Sequence, residues 1–207
     1  MIKTILKELK RHAPFTAFGA LTGILVMFFF RNLTEKTSYN IFYALHPLHV
    51  LLSALVTGSM YKIHKSGNAG AKCNIWALIV IGYVGSIGVA TLSDSVIPYL
   101  GETIMGMPNR EIHIGFIEEW SLVTPLALAG IAIAYFRPRT KFPHAGHVLL
   151  STWASLFHIM MAMGKKLDWV FYIGVFFFLF IAVWIPCCIS DIVFPLLFVK
   201  NKHEENA

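Results

Sequence analysis

Charge is scarce in this chain: Asp, Glu, Lys and Arg make up 14% of its 207 residues, against about a quarter in soluble domains. With 57% hydrophobic residues and a mean hydropathy of +0.66, that scarcity excludes an ordinary soluble globule and implies an integral membrane protein. Cysteine is scarce as well. Of the three, Cys187 and Cys188 are adjacent and Cys73 lies in another segment, which excludes a disulfide framework. No stretch between apolar runs exceeds about 20 residues, so no separate soluble domain is expected, and residues 1–207 read as one membrane domain. An HExxH or comparable catalytic signature is missing. So is any interleaved basic and aromatic patch, which argues against nucleic acid as a partner. The basic residues 1–12 are followed by no small-residue cleavage pattern, so the first apolar segment is expected as a retained span and not a signal peptide.

Long apolar runs are what the chain has. Six are long enough to cross a hydrocarbon core of about 30 Å as helices: roughly 14–30, 43–61, 74–99, 119–136, 143–163 and 170–199. The expected fold is therefore all-α and polytopic. With both termini on the same inner side, twelve of the seventeen Lys and Arg residues fall in inner segments, so the positive-inside rule puts the termini in the cytoplasm. The localisation expected is a prokaryotic cytoplasmic membrane. The net charge of +6 then reads as a topology signal with a weak attraction to anionic lipid.

The chain also repeats itself. His46-Pro47-Leu48-His49-Val50-Leu51-Leu52-Ser53 returns 98 residues later as His144-Ala145-Gly146-His147-Val148-Leu149-Leu150-Ser151. Ser93-Asp94-Ser95-Val96-Ile97-Pro98 returns at an offset of 97 as Ser190-Asp191-Ile192-Val193-Phe194-Pro195. The nearly equal offsets point to two three-span repeats, 13–101 and 118–199. Because three is odd, the second repeat enters the membrane from the opposite side, and the halves are expected to be inverted. Secondary transporters and some channels are built this way, with their pathways at the repeat interface.

Ionisable groups inside apolar spans are costly and usually functional. His46, His49, Ser53 and Thr57 share one helical stripe, and His144, His147, Ser151, Ser155 and His158 share another. Two histidines at i and i+3 with an aspartate from the next span suit a divalent transition ion such as Zn, Fe, Mn, Co or Ni. The candidate ligands are His46, His49, Asp94, His144, His147, His158 and Asp191. Cys187 and Cys188, a turn before Asp191, could add a thiolate or could be small buried apolar residues. Ser53 and Ser151 are weaker candidates. His113, Glu118 and Glu119 could draw cations to an outer mouth, although the two glutamates also suit a solvated helix start. His12 and His64 stand among basic residues and are expected to be solvated.

The bland alternative is a set of buried histidines and aspartates hydrogen-bonded to hold helices together, with Pro98 and Pro195 shaping kinks. Counting about 1.5 Å per residue from the span ends puts each cluster on the order of 5 to 10 Å from the midplane. Two sites, roughly 10 to 20 Å apart, are then expected. Gly82, Gly85 and Gly88 suggest a close helix approach, and the runs Phe28–Phe30 and Phe176–Phe178 suggest lipid or interhelical packing. The leading functional expectation is a transporter or channel for a small cation, foremost a divalent transition metal. The alternatives are an integral-membrane metalloenzyme centred on the second half and a b-type haem protein with histidine axial ligands. The expected partners are the lipid bilayer and the small cation, with homo-oligomer assembly left open.

Overall fold

A computed structural model describes residues 2–66, 73–164, 168–188 and 194–198. All secondary structure among them is helical: α1 (Ile2–Phe29), α2 (Glu35–Ser66), α3 (Ile75–Thr91), a π-helical turn (Leu92–Val96), α4 (Ile97–Ile104), α5 (Gly115–Glu118), α6 (Trp120–Phe136), α7 (Lys141–Ala162), α8 (Trp169–Cys188) and α9 (Phe194–Leu197). Five helices are long and apolar enough to cross a membrane, with α3, the π turn and α4 running together as one span of 30 residues. The sixth expected span, α6, is a shorter apolar helix of 17 residues, about 25 Å long and at the lower limit for a crossing.

Local chemistry explains several helix boundaries. Asn74 caps α3, its side-chain oxygen accepting from the backbone N–H groups of Trp76 at 3.0 Å and Ala77 at 3.4 Å, which satisfies donors that have no partner within the helix. Trp76, Trp120 and Trp169 each lie at or next to a helix start and are 65% to 80% exposed. Their amphipathic rings suit the membrane–water boundary. The π turn coincides with Ser93-Asp94-Ser95, all buried. Pro98 cannot donate to the Asp94 carbonyl; instead Ile97 reaches back five residues to the Leu92 carbonyl. The added residue turns Asp94 inward, and π turns of this kind often occur at functional sites.

α2 and α7 are the inner helices. Their spans are 67% and 72% buried, whereas the other three long spans are 28% to 44% buried. α2 packs on α3, α6 and α7, and α7 packs on α1, α2 and α8. Three pairings fix the direction of the central pair: Ser59 accepts from the Arg139 backbone N–H at 3.1 Å, His49 faces His147, and Phe42 faces His158. Numbers fall along α2 as they rise along α7, so the two run antiparallel.

The α2–α6 crossing is close because Gly130 has no side chain; a Cβ there would overlap the Leu51 carbonyl oxygen and crowd Ala54. The glycine triplet of α3 divides. Gly82 and Gly85 meet Ile131 and Phe194 as a close approach requires, whereas Gly88 faces open space. Phe28, Phe29 and Phe30 are 49% to 74% exposed, and Phe178 packs over Gly101.

Candidate metal centre

The inward faces of α2 and α7 carry a polar seam in which His46, His49, Ser53, Thr57, His147, Ser151, Ser155 and His158 are all buried. At its middle lies Asp94. Oδ2 accepts from Nδ1 of His46 at 3.0 Å and from Nδ1 of His49 at 2.7 Å. Oδ1 accepts from the hydroxyls of Ser93 at 2.7 Å and Ser151 at 2.8 Å. Four donors thus converge on one buried carboxylate, with Ser151 arriving from α7. The Ser155 hydroxyl joins the same region by donating to the Ser93 carbonyl at 2.8 Å.

A neutral imidazole that donates through Nδ1 to Asp94 keeps a lone pair on Nε2, and neither the Nε2 of His46 nor that of His49 has a hydrogen-bond partner among the described residues although both are buried. A carboxylate behind a histidine is the usual outer support of a metal ligand, orienting the ring and making the outward nitrogen a better donor. Asp94 has the geometry of such a support toward both rings.

His49, His147 and Cys187 each bring a ligand atom into a group whose atoms lie within 4.8 Å of one another, and all three residues are buried. Two imidazoles and a thiol from α2, α7 and α8 suit Zn, Co, Ni or Fe(II) better than Mn, which favours oxygen donors. The His49 and His147 ring centres are 5.4 Å apart. The expected separation of roughly 10 to 20 Å between two clusters is thus corrected to one central meeting point. The cause is helix length: α2 begins at Glu35, eight residues before the apolar run, so His49 sits halfway along it instead of near its end.

His144 continues on α7 with its ring centre 5.2 Å from that of His147. Beyond it, the His12 ring on α1 is 4.4 Å away, so His12 is not the solvated loop residue that its basic neighbours suggest. His64 is exposed in the last turn of α2, where it interacts with the Met60 carbonyl at 2.8 Å. Asp191 and the side chain of Cys188 lie outside what the structure describes.

The opposite end of the seam holds a second arrangement. His158 Nδ1 donates to Glu102 Oε1 at 2.7 Å, and its Nε2 accepts from the His113 backbone N–H at 3.2 Å. Both of its ring nitrogens are engaged, which leaves no lone pair for a metal in this conformation. Glu118 Oε1 accepts from the Ile114 N–H at 3.1 Å, its Oε2 accepts from the Tyr43 hydroxyl, and His113 Nδ1 is 3.5 Å from the same oxygen. Glu118 is thus held in place although its side chain is 33% exposed, and the mouth residues are separate from the central donors. Glu119 forms the break between α5 and α6. Gly115 lies directly against the His46 ring.

Glu102, which is fully buried, is absent from the expected ligands because the apolar run of the third span ends at 99. Continuing that helix through Pro98 places Asp94, Pro98 and Glu102 at four-residue spacing on one face, and that signal was available. The chain matches no protein-family model, no characterised protein and no solved structure in the comparisons made.

Proposed function

We propose that the protein carries a divalent transition metal, with Zn, Co, Ni or Fe(II) as the fitting class, across the membrane through a single central site shared by two inverted repeats. The observation carrying this reading is the buried His49, His147 and Cys187 donor group, with His49 braced by Asp94. His49 and His147 are the same position of the two repeats, so the donor pair sits where a pseudo-two-fold axis would pass. Helix packing supports the inversion, since each contact has its mate: α2 on α6 with α7 on α1, α2 on α3 with α7 on α8, and α1 on α8 with α6 on α3.

A site on the axis is equally related to both faces, as alternating access requires. The positive-inside rule assigns the face bearing Lys62, Lys65, Arg137 and Arg139 to the cytoplasm. The mouth at His113 and Glu118 then opens outward, and its acidic group favours cation entry.

The test is uptake of Co(II) and Zn(II) into proteoliposomes with a metal-sensitive dye inside, run beside His49→Ala and His147→Ala. Uptake above empty vesicles, lost to a similar degree in both variants, is the expected result. Tight binding without flux would replace the reading with that of a membrane metalloenzyme. Neither binding nor flux would leave the seam as a structural polar core.

A further inference from the structure

The three donors of the central group do not end the run of imidazoles. From His49 the ring centres step 5.4 Å to His147, 5.2 Å to His144 and 4.4 Å to His12. Two imidazoles sharing one tetrahedral ion, with Zn–N near 2.0 to 2.1 Å, hold their ring centres about 5 Å apart. Each step of the run is therefore close to the separation at which neighbouring rings can hold the same ion.

The run also has a direction. His49 and His147 are fully buried, His144 is half-buried, and His12 is half-buried where the apolar span of α1 begins. α1 and α7 run parallel here, with His12 beside His144 and Gly19 closely packed against Thr152. That packing holds His12 alongside the start of α7. On the other side of the centre the His46 ring is covered by Gly115 and stacked on Phe42 at 5.4 Å, so the imidazole run leads from the centre toward one face only.

We infer that His144 and His12 form a transfer route on which a metal ion leaving His49, His147 and Cys187 passes between α1 and α7 to the face where α1 begins its span. The inference rests on the proposed transport reading and adds two residues and a direction to it. The ion is exchanged between nitrogen donors throughout: a bond to the incoming imidazole forms as one to the outgoing ligand breaks, with no change of oxidation state. Stepwise exchange avoids stripping the ion of all its ligands inside a medium of low dielectric constant, which would be prohibitively costly.

The experiment uses the full chain in detergent and in proteoliposomes, with Co(II) as the spectroscopic probe and Zn(II) for flux. His12→Phe keeps a ring at the packing position and removes both donor nitrogens; His12→Cys removes the ring and keeps a donor. The expected result is a wild-type Co(II) spectrum in both variants, flux reduced about tenfold or more in His12→Phe, and substantial recovery in His12→Cys. His144→Phe should behave like His12→Phe. Wild-type flux in His12→Phe with the central spectrum intact would overturn the route and leave the transport reading standing. A His12→Cys variant as slow as His12→Phe would also overturn it, by showing that the ring matters for packing. Absence of Co(II) binding by the wild-type protein would remove the transport reading and the route together.

Discussion

Asp94 Oδ2 accepts a 2.7 Å hydrogen bond from His49 Nδ1, and His49 also brings a ligand atom to within 4.8 Å of those of His147 and Cys187. A carboxylate so placed fixes the orientation of the ring it holds. The same oxygen does this for His46 at 3.0 Å, so a single carboxylate aligns two rings one helical turn apart.

The first prediction separates charge from shape at that carboxylate. Asp94→Asn keeps the outline and an acceptor but loses the anion, and Co(II) affinity should fall about 10- to 100-fold with folding retained. Asp94→Ala strands four buried donors and should cost about 3 to 5 kcal/mol of stability. Co(II) titration and thermal unfolding in detergent check the pair; an Asp94→Asn protein with wild-type affinity would show that Asp94 does not brace a ligand.

Cys187 can be checked by its reactivity. In a Cys188→Ser background, bound Zn(II) should slow alkylation of Cys187 strongly, with little change at Cys73. Cys73 is a useful internal control because it lies in the segment before α3, where burial pushes its thiol pKa up against the opposing pull of Lys62 and Lys65. Its sign is simple: less thiolate at neutral pH and slow labelling with or without metal. Mass spectrometry of the labelled peptides reads both sites, and unprotected Cys187 would remove it from the donor set.

Glu102 and His158 should behave as a buried pair outside the metal centre. Glu102→Gln keeps an oxygen to accept from His158 Nδ1 and should cost less than about 1 kcal/mol. Glu102→Leu leaves that donor buried and alone, at about 1 to 3 kcal/mol. Neither change should move central Co(II) affinity by more than about twofold, roughly 0.4 kcal/mol. A large affinity loss in Glu102→Gln, seen by titration, would place this pair within the site.

Gly130→Ala tests the helix crossing itself. The added methyl meets the Leu51 carbonyl oxygen and the Ala54 side chain, and overpacking of this kind costs about 1 to 3 kcal/mol. Gly88→Ala, facing open space, should be close to neutral. Thermal unfolding of the two variants should separate them clearly; equal midpoints would mean that α2 and α6 can part at little cost.

The sequence by itself determined the solvent and which motifs recur. Low charge and long apolar runs admit only a membrane-spanning helical bundle among helical folds, because backbone polar groups in lipid must be satisfied within each span. The histidine stripes of the two His-x-x-His motifs marked which faces turn inward, since lipid cannot serve such groups. Helical stripes identified His46, His49, His147 and Ser151 because spacing along one helix is local information. What only the tertiary structure decided was depth and company. The eight residues by which α2 extends beyond its apolar run moved His49 from an edge to the centre and merged two expected clusters into one. The π turn made Asp94 a brace for His46 and His49, which depends on where its oxygens point. Glu102 found His158, and His12 found His144, because helices distant in sequence pack side by side, and no pattern within a single segment records its neighbour.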